Sequence, residues 1–282
     1  MRGHEKQFGL RRMCSALEVS RSGYYEWYGR PQSARVLKDE ALLKEIQRVH
    51  AQSHEAYGAK KTWIELKAQG TECGKHRVAR LRKANDIEAR RKRRFRVKER
   101  HQQTAPAAPN LVAQRFSVQA PNCIWVGDTT LIRTRGGYLH LAVLLDLYAR
   151  RVVGWSMSER PDLQLVLGAL EMAMEHRRPA IGVIHHTDQG TIYRAGLYRA
   201  AIEAYGLRPS MSAKGAPHDN AVAESFFSTL KNELVHHCDF MDRDSARMAI
   251  FQYIELFYNR KRRHQALGYV SPMYFEDRHG VS

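Results

Sequence analysis

The stretch IWVGDTTLIRT at residues 124–134 decides the fold, together with YLHLAVLLDLY at 138–148 and RVVGWSM at 151–157. Each segment has the β-branched and aromatic composition of a strand. The links between the segments are only three and two residues long. Links of this length join antiparallel neighbours, so the sequence predicts three successive antiparallel strands.

The chain after residue 158 alternates between helix-like and strand-like segments. The sequence predicts a helix at 163–176 that Asp162 caps, a buried strand at 181–187, a helix at 193–206, a short strand at 208–211 and a helix starting at Asp219 or Asn220. Three antiparallel strands followed by such an alternation predict an α/β domain, a mixed sheet with helices on both faces.

The N-terminal part is predicted to form small all-α modules. Residues 10–30 have the outline of a helix-turn-helix whose second helix is capped by Ser20 or Ser22. Three further helices are expected between residues 39 and 88. The predicted domains are 1–38 and 39–88, a basic Pro/Ala-containing linker at 89–114, the catalytic core at 115–236 and a C-terminal helical extension at 237–282.

Composition and charge narrow the class of protein. The 282-residue chain has no apolar run long enough for a membrane span and no signal-peptide pattern, and its four cysteines are scattered, so we expect a soluble cytoplasmic protein. The formal charge is +17, of which residues 1–100 carry +14. Such a concentrated excess favours a nucleic-acid partner.

Two basic segments are the predicted DNA contacts of the N-terminal part. The third helix of the second module carries Arg77 and Arg80. The run at 89–100 has eight Lys or Arg in twelve residues, among them Arg91, Arg93 and Arg94. A solvated basic face remains the alternative for the helix, and a nuclear localisation signal remains the alternative for the run.

Three carboxylates are the candidate catalytic residues. Asp128 lies in the middle of the first strand, Asp188 follows directly on the strand at 181–187, and Glu224 lies at the edge of the buried stripe of its helix. Carboxylates so placed could bind two Mg²⁺ ions, with in-line displacement at phosphorus as the chemistry. Lys231, two turns after Glu224, could hold a phosphate beside them.

Five sequence motifs of the chain resemble those of a known protein family. WVGDTT, LDLYARRVVGWSM, HHTDQG, MSAKGAPHDNAVAESFFSTLKNEL and YNRKRRHQALGYVSP stand in the order of the blocks of bacterial transposases of the insertion-sequence-three family. With 35 residues between Asp188 and Glu224, the three acids also resemble the catalytic triad of retroviral integrases.

The resemblance implies a ribonuclease-H-like catalytic core that cleaves and joins DNA ends to move an insertion sequence. It implies Asp128, Asp188 and Glu224 as ligands of Mg²⁺, for which Mn²⁺ could substitute. The implied partners are the terminal repeats and target DNA, an upstream-frame DNA-binding product of the same element, and further copies of the chain, in the bacterial nucleoid. The residues expected at the DNA are Lys231, Lys214, Asn220, His186, Arg260 and Arg263, with Asn259 and His264 beside the last two.

Several alternatives stay open at this point. His50, His54, Cys73 and His76 have zinc-ligand types, and His185 with His186 could also bind zinc, although neither set has a decisive spacing. Asp146 and Glu233 are acids outside the triad, and Asp146 is expected in a turn with an ion pair to Arg150 or Arg151. A catalytically inactive or domesticated DNA-binding regulator is the main rival function, and a purely hydrolytic nuclease is the second.

Overall fold

The N-terminal part of the computed structural model is all helical, as predicted. The structure describes residues 7–31, 33–90, 107–113, 118–213 and 217–279. The first five helices are α1 (Leu10–Ala16), α2 (Arg21–Gly29), α3 (Ala34–Gln52), α4 (Ala59–Ala68) and α5 (Lys75–Ala84). Ser20 caps α2 by accepting a hydrogen bond from the amide of Gly23 at 3.0 Å. None of the helices in the described ranges is long and apolar enough to cross a membrane.

The predicted boundary between residues 38 and 39 is wrong. A single helix, α3, crosses it, because Ser33 caps the helix by accepting from the amide of Val36 at 3.3 Å. The regular apolar spacing starts only at Asp39, so the sequence predicts a helix from that residue and gives no signal for the polar first turn. That first turn carries Leu37, which is half exposed and adds nothing to the buried stripe.

The sheet has five strands in the order β3-β2-β1-β4-β5. Their bounds are β1 (Ile124–Thr134), β2 (Gly137–Asp146), β3 (Arg151–Ser158), β4 (Ile184–Thr187) and β5 (Arg208–Met211). The β1–β2 and β2–β3 pairs are antiparallel, whereas β1–β4 and β4–β5 are parallel. The predicted three antiparallel strands and the mixed sheet are therefore confirmed.

Helices cover both faces of this sheet, as expected. They are α6 (Leu163–Arg177), α7 (Gly196–Ala204), α8 (Ala221–Glu233) and α9 (Arg243–Phe251), and α9 continues into a π-helix (Gln252–Tyr258). Trp125 of β1 packs in a core with α6 and α7, whereas Val126 and Ile132 pack in a second core with α8, α9 and the π-helix. Alternate residues of β1 thus face different helices.

The other described elements are short helices, and the N-terminal helices contribute to the second core. Short 3₁₀ helices span Pro217–Asn220, Val235–His237 and Gln265–Leu267, and α10 spans Pro272–Arg278. Apolar residues of α3, α4 and α5 belong to the same buried cluster as α8 and the π-helix. The N-terminal module therefore packs against the C-terminal part of the chain.

The C-terminal end of the predicted linker belongs to the core instead. Val112 is fully buried, and the amide of Leu111 donates to Ser210 Oγ of β5 at 2.9 Å. Asn110 Nδ2 donates to Asp219 Oδ2 at 2.8 Å. These contacts satisfy polar groups next to β5 and α8, so residues 107–113 line the sheet edge. The basic run at 91–100 lies outside the described residues.

Candidate active site

Asp128 lies in the middle of β1, on the side of the sheet that α8 covers. It shares that side with Val126 and Ile132, which pack under α8. The amide of Thr129 donates to Asp128 Oδ1 at 2.7 Å. A half-buried carboxylate in a strand that is otherwise well packed is held in place by the sheet rather than by a flexible loop.

Asp188 and Asp128 both follow the paired part of two neighbouring strands. The parallel ladder pairs Ile124 with Ile184 and Val126 with His186, so each aspartate lies two residues beyond the last pair. Neighbouring strands lie about 4.8 Å apart. The amide of Gly190 donates to Asp188 Oδ1 at 2.9 Å, which fixes the turn after β4.

The carboxylates of Asp128 and Asp188 both affect the pKa of the Tyr193 phenol. Burial raises the pKa of Tyr193 well above its ordinary value, and the carboxylates of Asp128 and Asp188 raise it further. A negative charge raises the pKa of a nearby phenol because the phenolate would be repelled. Both predicted acids therefore lie within electrostatic range of the same side chain.

Glu224 lies in the first turn of α8 and is exposed. Its helix packs against β1 and β2, and the predicted stripe is buried at Ala223, Phe226, Phe227, Leu230 and Leu234. In the described ranges, no three His, Cys, Asp or Glu side chains come close enough together to hold a metal ion. Asp128 and Asp188 thus each lie two residues beyond the paired part of neighbouring strands, and Glu224 lies at the exposed start of a helix on the same side of the sheet as Asp128.

Lys231 lies two turns further along α8 and lines a groove of about 540 Å³ next to the β1–β2 hairpin. Lys214, another predicted DNA contact, lies outside the described residues. Asn220 is only 5% exposed, and its Oδ1 has no hydrogen-bond partner in the described part of the chain. A buried amide oxygen of this kind cannot reach DNA without a local opening.

The prediction that His186 contacts DNA is wrong for this conformation. Its ring is fully buried, with Nδ1 2.8 Å from Ser210 Oγ and Nε2 3.2 Å from Ser212 Oγ. The neighbouring His185 Nε2 lies 2.8 Å from Tyr198 OH. Burial lowers the pKa of His185 to about 3 and that of His186 to about 4, so both rings are neutral packing groups at pH 7.

The C-terminal polar residues hold the fold together, contrary to the prediction that they face the substrate. Asn259 is buried and bonds both the amide and the carbonyl of Val152 on β3, each at 3.0 Å. Arg263 Nε donates to Glu65 of α4 at 2.6 Å. Of the two arginines predicted here, only Arg260 is exposed.

Arg262, which no sequence pattern singles out, forms a buried ion pair in this region. Its guanidinium binds Glu233 of α8 through Nε at 2.9 Å and Nη2 at 2.8 Å, and Tyr253 OH donates to the same carboxylate at 2.7 Å. Burial disfavours the charge on Arg262, but Glu233 overrides this effect and raises its pKa. No local pattern marks this pair, because its members lie 29 residues apart.

The N-terminal arginines are partly used within the protein. Arg77 Nε and Arg80 Nη2 each donate to Asp39 of α3 at 2.6 Å. Both are still partly exposed, with side chains at 33% and 49% of full accessibility. Arg91, Arg93 and Arg94 lie outside the described residues.

Two acids outside the triad also have structural roles. Asp146 is the fully buried last residue of β2, next to the turn at 147–150, and accepts from the amides of Asn122 and Tyr148. The predicted turn is correct, but the ion pair is formed with Arg177 at 3.0 Å instead of Arg150 or Arg151. Arg151 pairs with Glu276 of α10.

Comparison with known families defines the class of this protein. Residues 118–217 and 205–272 match two family models that are each described as an integrase core domain. Residues 37–95 match a model described as an HTH-like domain. The chain is therefore an integrase-core protein with a helix-turn-helix-like domain ahead of its sheet.

Curated relatives specify the family further. The chain is 40% identical over 281 residues to transposase InsF for insertion sequence IS3A of Escherichia coli K12, covering 98% of this chain and 96% of the relative. It is 44% identical over 267 residues to an uncharacterized 31 kDa protein of insertion element IS600 from Shigella sonnei, covering 95% and 98%. The chain belongs to the insertion-sequence IS3 transposase family, and it is a DNA-acting transposase, an enzyme of the nucleotidyl-transfer type.

Solved structures include more distant matches. One is the HTLV-2 integrase catalytic core domain in complex with magnesium, with 18% identity, coverage of 49% of this chain and 89% of that one, and a TM-score of 0.37. Another is a chain of a simian T-cell lymphotropic virus intasome structure, with 14% identity, coverage of 82% and 73%, and a TM-score of 0.47.

Proposed function

We propose that Asp128, Asp188 and Glu224 are the catalytic carboxylates with which this transposase cleaves and joins DNA ends. The observation that supports this most directly is the parallel ladder of β1 and β4, whose last pair, Val126 and His186, lies two residues before each aspartate. Glu224 is the exposed acid of the helix that covers the same side of the sheet.

The side chains around this place fit divalent magnesium. The three candidate ligands offer oxygen atoms only, which Mg²⁺ prefers over nitrogen or sulfur. The two nearby histidines are buried, His186 with both ring nitrogens against Ser210 and Ser212 and His185 with Nε2 against Tyr198 OH. Two Mg²⁺ ions bound there would supply Lewis-acid stabilisation of the charge that develops at phosphorus. Zinc is the less suitable ion for such an oxygen-only set.

The residues of the chain would act on the DNA itself. Asp128 lies within β1 and Asp188 follows directly on β4, so together they would define where the scissile phosphate lies. Lys231, on the same helix as Glu224, would bind a neighbouring phosphate and orient the strand for in-line attack. Water or a DNA 3′-hydroxyl could serve as the nucleophile, so one site would perform both cleavage and joining.

The decisive experiment is a strand-transfer assay on labelled terminal-repeat DNA with Mg²⁺, Mn²⁺ or EDTA. We expect metal-dependent joined products from the native chain and none from Asp128→Asn. Asp277→Asn is the matched control, because Asp277 is an exposed aspartate on α10. Nicking without joining would instead support a hydrolytic nuclease, and DNA binding without chemistry under any metal would support a regulator.

We also propose the partners that the family suggests. These are the terminal repeats of the parent element with its target DNA, an upstream-frame DNA-binding product, and further copies of this chain in the complex that holds both ends. The HTH-like match at residues 37–95 supports recognition of the element ends. Co-purification with the upstream product, and the mass of the chain on paired ends, would test the last two partners.

A further inference from the structure

The start of α8 is not fixed by its own cap. Asn220 is the residue at the N-cap position, where an asparagine ordinarily accepts from an amide of the first turn. Among the described residues, its side chain makes no such capping bond, and its Oδ1 has no hydrogen-bond partner. The first turn of α8, which carries Glu224, is therefore held by other contacts.

Asp219, the residue directly before this cap, supplies such contacts. Its side chain belongs to the buried interior, with the residue only 2% exposed. Its Oδ2 accepts from Asn110 Nδ2 at 2.8 Å and from the amide of Ala213 at 3.3 Å. A buried carboxylate is costly unless it is hydrogen-bonded, so these two bonds hold the turn that leads into α8. One of them reaches a residue 109 positions earlier in the chain.

The side chain of Asn110 is used at both of its ends. Its Oδ1 accepts from the amides of Val112 at 3.1 Å and Ala113 at 2.8 Å. An asparagine that bonds the backbone two residues on forms an Asx-turn. Two amide donors at Oδ1 also settle which end of the side-chain amide is oxygen, so Nδ2 is the group that faces Asp219. Val112 is fully buried, which anchors the turn.

The backbone around Asn110 is attached to the sheet. β5 is an edge strand in the order β3-β2-β1-β4-β5. The amide of Leu111 donates to Ser210 Oγ at 2.9 Å, and the amide of Met211 donates to the carbonyl of Pro109 at 3.4 Å. The position of Asn110 is therefore set by β5, and through Asn110 the sheet holds the turn before α8.

Packing alone would fix the rest of α8 better than it fixes this first turn. The apolar stripe is buried at Ala223, Phe226 and Phe227, whereas Ala221 and Glu224 are not buried. The first amides of a helix have no partner within the helix, so an end without a cap frays. Fraying at this end would move Glu224 relative to the sheet while the stripe stayed packed.

We propose that Asn110 and Asp219 are positioning residues of this transposase, and that their hydrogen bond fixes where the first turn of α8 presents Glu224. We call this bond the helix latch. The proposal rests on the proposed function, because it takes Glu224 as a catalytic carboxylate. Neither residue of the helix latch touches the reacting atoms, since both act through the position of Glu224.

The first test is amide hydrogen exchange of the full chain, which reports on the start of α8 without any chemistry. The amides of residues 224–227 are the first to bond within α8. Asn110→Asp sets two carboxylates at hydrogen-bonding distance, so these amides should exchange on the order of tenfold faster while the β1–β2 amides stay unchanged. Adding Asp219→Asn supplies an amide donor to the new carboxylate and should restore slow exchange. Unchanged exchange at 224–227, or faster exchange throughout the sheet, would overturn the proposal.

A second test measures strand transfer against Mg²⁺ concentration. Asn110→Asp should lower the maximal rate by roughly 10–100-fold and raise the Mg²⁺ concentration at half-maximal rate, because Glu224 is displaced. Adding Asp219→Asn should recover both quantities. Asp162→Ala is the matched control, since Asp162 also precedes a helix, α6, and accepts from the amide of Leu165 at 3.1 Å. It loses a helix cap and should keep the native Mg²⁺ dependence, so an equal shift in this control would overturn the proposal.

A milder variant, Asn110→Ser, keeps the test decisive if Asn110→Asp fails to fold. Its hydroxyl can still accept from the amide of Val112, but it is too short to reach Asp219, so exchange at 224–227 should again rise. The two proposals fail separately. If Glu224→Gln retained strand transfer, the catalytic assignment of Glu224 would be wrong, and the positioning role would fall with it even where exchange had changed. If Glu224→Gln abolished transfer while both Asn110 variants kept native exchange and Mg²⁺ dependence, the catalytic proposal would stand and the helix latch alone would be overturned.

Discussion

The two glutamates at opposite ends of α8 have opposite surroundings. Glu224 in the first turn is exposed. Glu233 in the last turn is only 9% exposed and is held by Arg262 and Tyr253. A charge whose hydrogen-bonding capacity is used within the protein stabilises packing, whereas a charge that faces solvent is available for a ligand.

The largest expected effect tests this comparison by neutralising each of the two glutamates in turn. Glu224→Gln should reduce strand transfer by on the order of a thousandfold or more, because it removes charge from the reacting centre. Its midpoint of urea unfolding should stay close to that of the native chain. Glu233→Gln should lower the unfolding midpoint and retain transfer per folded molecule. Equal loss of transfer in both variants, corrected for the folded fraction, would contradict the division of roles.

The second effect concerns stability. Arg262→Met should reduce the free energy of unfolding by about 3–5 kcal/mol, because it leaves the carboxylate of Glu233 buried and unpaired. The double variant Glu233→Leu/Arg262→Met should recover most of that loss. Arg48→Met is the control, since Arg48 pairs with Glu45 at the surface with side chains 43% and 42% exposed. Its cost should stay below about 1 kcal/mol.

The smallest expected effect is a pH dependence of the folding stability that arises from His264. Arg262 Nη1 lies 3.3 Å from His264 Nε2, so the ring nitrogen accepts from the guanidinium. Burial lowers the pKa of His264 well below 6.5, and the positive charges of Arg262, Lys61 and Arg150 lower it further. The ring of Tyr258 packs edge-on against the ring of His264, with the ring centres 4.8 Å apart.

The sign of this effect follows from proton binding. Below pH 6.5 the unfolded chain binds a proton at His264 that the folded chain does not, so stability should fall as the pH drops below 6.5. The contribution is at most about 1.4 kcal/mol per pH unit and vanishes above pH 7. Urea unfolding between pH 7.5 and 5 should show a shallower loss for His264→Gln than for the native chain. Parallel curves would show that His264 is protonated in the fold.

The strands and the helix α8 could be predicted from the sequence because their signals are local. Alternation in β1 places Asp128 opposite the side of Trp125, and the apolar spacing of α8 gives its buried stripe. The roles of the C-terminal residues could not be predicted. Whether an arginine faces DNA or an internal carboxylate depends on the residue across from it, and Glu65 lies 198 residues from Arg263.

His186 and Asn220 show a related limit. Both have side chains that commonly bind substrate, and both stand next to a candidate catalytic acid or helix in the sequence. Ser210 and Ser212 of the neighbouring strand region enclose His186, which only the pairing of β4 with β5 brings about. Parallel strand pairing joins distant segments, so its partners are not visible in either segment alone.

The contact between the N-terminal helical module and the C-terminal segment can form only late in the synthesis of the chain. Tyr57 OH accepts from the amide of Arg263, 206 residues later in the chain. At about 5–20 residues per second, a ribosome needs roughly 10–40 s to make that stretch. During that time α4 has emerged and Arg263 does not yet exist. A nascent chain would therefore carry its helix-turn-helix-like module undocked until the final residues appear, and a chain truncated before Arg262 would leave Glu233 without its counter-charge.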